Sequence, residues 1–216
     1  MPIVPSRSAR TQELLGRLGS SSAAERDSAI AGLTLLGTRA LLSLGAFLPT
    51  ASPAARLAAV EVLERVENPG VVPLLLQLVR DADARVALRA LEAVGDRPDP
   101  RSIAVLGALL VAPGPLGRRQ AAARALARLE AKGLVGGLEP LAERLLDERE
   151  EPRLRCLILD GLLTREPPLA ARTLQPLLKR LATSSEPELA TRARSTDGEA
   201  VEERLAEALA SPGLSD

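Results

Sequence analysis

Five aliphatic residues, Leu33, Leu63, Val94, Leu126 and Leu162, occupy one landmark in five similar segments, with successive gaps of 30, 31, 32 and 36 residues. A period of this length marks a chain built from stacked supersecondary units, each too small to bury its apolar faces alone. Seven residues before the landmarks stand Arg26, Arg56, Ala87, Arg119 and Arg155, so four of the five units place an arginine at the same step. Each unit also carries a second aliphatic segment, at 40–48, 73–79, 104–111, 140–146 and 176–182. Pro73, Pro140 and Pro176 open three of these segments, where a helix tolerates proline because its first N–H groups lack intrahelical partners. Turn signals separate the paired segments at Pro49 to Pro53, Asp81 to Asp83, Pro113 to Pro115 and Glu148 to Pro152. No stretch sustains the alternation of a strand, so the spacing predicts an all-α chain, an α-α superhelix or solenoid of about six helical pairs.

The ends depart from the repeat. Residues 1–7 read as a tail, and 8–19 as a short opening helix of an array that spans 8–195. Residues 196–210 read as a capping helix, begun by a capping box of Thr196 with Glu199 and carrying Val201, Leu205 and Leu209 on one face, with 211–216 as a second tail. Open stacks need such polar-faced ends for solubility. Inside the array, Ala58, Ala59, Ala90, Ala93, Ala121, Ala122 and Ala125 let neighbouring helices approach closely, while Leu and Val on the facing helices fill the seams.

The segments DADARVALRALEAVGD (81–96), ASPAARLAAVEVLERV (51–66), EPRLRCLILDGLL (151–163) and GDRPDPRSIAVLGALL (95–110) closely resemble the short HEAT-like repeats first named from phycobilisome lyase subunits. The resemblance covers about residues 8–195. It implies a ladder in which a turn Asp of one repeat meets a second-helix Arg of another, and the Arg maps onto Arg26, Arg56, Arg119 and Arg155. The third unit departs with Ala87, and it alone keeps the turn Asp, as Asp81, six residues before the ladder position. The resemblance further implies that the second helices line the concave face, where partners are held.

Composition closes several routes to chemistry. The chain has no His, Trp or Tyr, one Phe and one Cys. Loss of every histidine removes the commonest proton shuttle and metal ligand, so no catalytic, cofactor or metal site is expected. The iron-dependent hydroxylases that resemble HEAT arrays use His-Glu pairs, and the glycosylases built on similar repeats use aromatic residues around the lesion; this chain offers neither. Cys156 stands beside Arg153 and Arg155, which would lower its pKa, yet without a His base it reads as a packing thiol. The acidic run Asp147, Glu148, Glu150 and Glu151 reads as a solvated loop rather than a cation site, and Phe47 as core. KGLVGGLEP (132–140) is rich in Gly but lacks the Lys-Ser/Thr of a phosphate loop.

Charge balances at 28 basic and 28 acidic residues, which gives no global field to draw in a polyanion or an anionic membrane. The start has no apolar leader, the single Cys excludes an internal disulfide, and no apolar run is long enough to span a bilayer, so a cytoplasmic, membrane-free protein is expected. Locally, residues 97–131 hold six Arg (97, 101, 118, 119, 124, 128) against Asp99 and Glu130, and Arg124 and Arg128 lie one turn apart on one face.

Protein–protein interaction, as a scaffold, adaptor or regulatory subunit, is the function these features favour. Its contact residues should lie one step and five steps after the ladder position: Leu57 and Glu61, Leu88 and Glu92, Gln120 and Arg124, Cys156 and Asp160, with Arg128 beyond. Leu57 and Leu88 would form an apolar strip flanked by acids. Two alternatives stand beside this reading: a bilin lyase-type subunit, implied by the resemblance alone, and a phosphate-backbone binder through the Arg118 to Arg128 cluster. Nucleic acid is disfavoured, since the aromatic residues on which bases stack are missing.

Overall fold

The computed structural model describes residues 7–163 and 171–195; the expected capping helix at 196–210 and the tail at 211–216 lie outside the described residues. All regular structure among the described residues is helical, and the fold is all-α, of the helical-repeat type. The chain divides into two compact units, Met1–Leu109 and Leu110–Asp216.

The first unit holds α1 (Arg7–Arg17), α2 (Ala23–Leu36), α3 (Thr38–Phe47), a 3-10 turn (Leu48–Thr50), α4 (Pro53–Arg65), α5 (Val71–Leu78) and α6 (Ala84–Gly95). The division of the chain falls inside α7 (Pro100–Val111). Within this unit α2 packs on α4 and α4 on α6, while α5 fills the seam between α4 and α6. Ala58, Ala59, Ala90 and Ala93 are buried, as close approach of these helices requires, and the landmark residues Leu33, Leu63 and Val94 are fully enclosed. Ser22, Ser52 and Asp83 cap α2, α4 and α6 by accepting the N–H of Glu25, Ala55 and Arg85. Arg97 closes the other end of α4, donating through Nη2 to the carbonyls of Leu63 (3.1 Å) and Glu64 (2.5 Å), two of the groups a helix C-terminus leaves unpaired.

The second unit holds α8 (Leu116–Ala131), α9 (Leu138–Leu146), α10 (Pro152–Leu163), α11 (Ala171–Ala182) and α12 (Pro187–Ser195). Here α8 packs on α10 and α10 on α12, with α9 against α8, α10 and α11. Leu126 and Leu162 again sit in the core.

Two expectations need correction. Pro176 lies inside α11 rather than at its start, because the helix begins five residues earlier at Ala171. Phe47 is half-buried, and Leu48, 1% exposed, takes the enclosed place beside it.

The faces of α6 can be tested directly. Leu91 is 0% exposed and Leu88 37%. Leu91→Asp should cost more than about 3 kcal/mol, since it strands a carboxylate among alanines and leucines, whereas Leu88→Asp should cost less than about 1 kcal/mol. Thermal melts of the two variants check this, and similar losses would show the helix to be rotated.

Candidate functional site

Where the repeated arginine occurs it has one location: Arg26, Arg56, Arg119 and Arg155 are the fourth residues of α2, α4, α8 and α10, and Ala87 takes that place in α6. Each arginine reaches back to a main-chain carbonyl at the end of the preceding helix or in the turn before its own. Arg26 Nη1 donates to Ser20 O (2.9 Å), Arg119 Nε to Leu110 O (2.9 Å) and Arg155 Nε to Leu145 O (2.8 Å), while Arg56 Nη1 takes Ala51 O. Three of them also reach forward to a carboxylate in the turn before the next second helix. Arg56 grips Asp81 through Nε (2.6 Å) and Nη2 (2.8 Å); Arg119 holds both oxygens of Glu150, through Nη1 (2.8 Å) and Nη2; and Arg155 Nη1 donates to Glu186 Oε1. Arg155 is 2% exposed, the most enclosed charge among the described residues.

These clamps are a ladder with mixed acids. Asp81, Glu150 and Glu186 stand three, two and one residues before their helices, so the acid drifts along the turn and the longer Glu side chain makes up the reach. Sequence reasoning found the arginines and Asp81 but missed the two glutamates. The acidic run around Glu150 is accordingly not simply solvated: Glu150 is 9% exposed on Arg119, and Asp147 pairs with Arg144 at 3.1 Å. Among the described residues no cluster of His, Cys, Asp or Glu is arranged to hold a metal ion.

The Gly-rich stretch has a structural role. Glu130 Oε1, on α8, accepts the N–H groups of Gly136 (3.0 Å) and Leu138 (2.8 Å), so a carboxylate of the chain itself caps the start of α9. Gly136 has φ 113, a conformation that side chains with a Cβ rarely adopt, and a Cβ on Gly137 would stand 2.9 Å from Glu130 Cγ.

One open groove, about 600 Å³, lies in the second unit across α8, α10 and α12. It brings together four of the residues expected on the partner face: Gln120 and Arg124 from α8, and Cys156 and Asp160 from α10. Leu157 and Gly161 of α10 also line it, as do Glu188 and Arg192 of α12, which sequence reasoning did not select. Arg192 bridges the two acids, with Nε 3.2 Å from Asp160 Oδ1 and Nη1 2.9 Å from Glu188 Oε1. Arg153 also lines the groove. Burial pushes the Cys156 thiol up, against the opposing charge of Arg192, so the thiol is not activated by Arg153 and Arg155; the latter points away to Leu145 and Glu186.

The other expected contact residues are placed as follows. Arg128 is exposed but is not part of the groove lining. In the first unit Leu88 is exposed and Leu57 half-buried, on α6 and α4, with Glu61 paired to Arg65 and Glu92 to Arg89. Arg89 also holds Glu64 at 2.8 Å, so the acids on this face are already engaged.

Residues 41–127 match the family model described as HEAT repeats. Among solved structures it is similar to a designed armadillo repeat protein in complex with peptide (KR)4, at 18% identity and a TM-score of 0.47, covering 85% of this chain and 96% of that one. It is also similar to the complex of CpcE and CpcF of phycocyanin lyase from Nostoc sp. PCC7120, at 19% identity and a TM-score of 0.44, covering 86% of this chain and 96% of that one. No curated protein sequence matches the chain. No helix among the described residues is long and apolar enough to cross a membrane.

The clamps predict an acid response. Burial raises the carboxyls of Asp81 and Glu150, but hydrogen bonds from Arg56 and Arg119, with the N–H groups of Asp83 and Glu151, outweigh it and hold both below the ordinary values of 3.8 and 4.5. A carboxylate with a depressed folded-state pKa contributes stability above its unfolded-state value and loses it as the pH falls through the folded one. Stability measured by urea denaturation should therefore decline as the pH drops below 4.5. Glu150→Gln should cost about 1–3 kcal/mol at pH 7 and make that decline shallower; equal acid slopes in the two proteins would refute the assignment.

Proposed function

We propose that this chain, whose residues 41–127 match HEAT repeats, is a protein-interaction scaffold or adaptor, and that a partner docks on its second helices. The observation that carries the reading is the groove of α8, α10 and α12, where Gln120, Arg124, Cys156 and Asp160 converge from equivalent steps of two repeats. These positions follow the ladder arginine by one and five residues, so the fold spends the ladder side chain on stacking and leaves its neighbours facing the groove. Open polar grooves on rigid helices suit recognition of an extended segment, because the helices bring their surface already ordered.

In the first unit the equivalent steps carry Leu57 and Leu88, with Glu61 and Glu92 beyond them, and we assign to them an apolar contact. Leu57→Ser with Leu88→Ser should weaken a bound partner by about 1–3 kcal/mol while leaving folding intact. Arg124→Glu with Arg128→Glu should act mainly on association rate and its salt dependence.

The groove itself is tested by filling it. A Cβ at Gly161 would meet only Ala127 Cβ, at 3.7 Å, an ordinary contact, so Gly161→Leu adds bulk at the groove lining with room for its first carbon. Proteins captured by the full chain from its source cells should be lost from Gly161→Leu and kept by Arg149→Glu, an exposed substitution outside the groove. Capture that is indifferent to Gly161→Leu would move the docking surface elsewhere.

A further inference from the structure

The groove of the second unit is not neutral in effect, although its lining residues nearly balance in formal charge. Asp160 and Glu188 are both spent on Arg192, which lies between them at salt-bridge distance. Arg124 and Arg153 line the same groove, are exposed, and make no hydrogen bond or ion pair among the described residues. Of the six arginines in 97–131, Arg97 caps α4, Arg101 pairs with Asp99, Arg119 belongs to the ladder, and Arg118 and Arg128 are engaged, so Arg124 is the one left over. A guanidinium held on a rigid helix with no internal acceptor is an unfilled fork for a carboxylate.

We infer that the groove selects an acidic peptide segment, whose carboxylates pair with Arg124 and Arg153 and whose aliphatic side chain rests on Leu157. This rests on the docking reading above and names its partner. Asp160, Arg192 and Glu188 together keep one net negative charge, and that decides the class of anion. A nucleic acid carries a charge on every residue of its backbone and would be forced past Asp160 and Glu188, whereas a peptide can leave a neutral residue opposite them. Gln120 beside Arg124 supplies an amide that can bond such a segment's main chain.

The test is selection of a random-sequence peptide display library on the immobilised full chain, followed by titration of the enriched peptides against variants. Enriched sequences should carry at least two acidic residues around an aliphatic one. Their affinity should fall about tenfold in Arg124→Glu and in Arg153→Glu and become less sensitive to salt, and Gly161→Leu should abolish binding. Enrichment of basic or uncharged peptides that Gly161→Leu still blocks would overturn the acidic preference and leave the groove standing. Acidic peptides that bind all three variants equally, or no enrichment over an unrelated chain, would overturn the inference, the former together with the groove.

Discussion

The stacking of this chain depends on a buried guanidinium. A helix pair of some thirty residues has too little interior to fix its neighbour by apolar contact alone, since alanine seams slide more readily than interlocked large side chains. At the fourth position of α4, α8 and α10 an arginine settles the register, because its planar fork must satisfy a carbonyl behind and a carboxylate ahead at once. A pair so enclosed contributes less to net stability than to uniqueness: desolvation cancels much of the attraction, but an arrangement that misses the acid leaves a charge unpaired.

Much of the fold was legible because it rests on periodicity. The landmark aliphatics, the alanine faces and the arginine step all recur at fixed intervals, and the structure encloses the landmarks at Leu33, Leu63, Val94, Leu126 and Leu162. The ladder acids were harder to read because turns relax positional demands: Asp81, Glu150 and Glu186 solve one problem from three different offsets. A search for any carboxylate in the three residues before a second helix would have found them. The start of α11 was misplaced for a related reason, since proline marks a helix start only where nothing upstream can also be helical.

The groove was legible in part. Counting steps from the ladder arginine selected Gln120, Arg124, Cys156 and Asp160 correctly as neighbours in space. It could not select Glu188 and Arg192, because the fourth residue of α12 is Ala190 and no ladder arginine stands there to count from. Nor could formal charge distinguish Arg124 from Arg119, five residues away, although one is consumed by the fold and the other is not.

The capping of α9 by Glu130 has a further consequence. Main-chain N–H groups at a glycine-rich helix start are the usual cradle for phosphate, and here the cradle is occupied by the chain's own carboxylate. An incoming anion must displace a competitor tethered a few residues away, whose local concentration is on the order of millimolar or higher. The loop thus behaves as a self-quenched anion hole: the polarity that could have recruited a nucleotide is spent on holding α8 and α9 at a fixed angle.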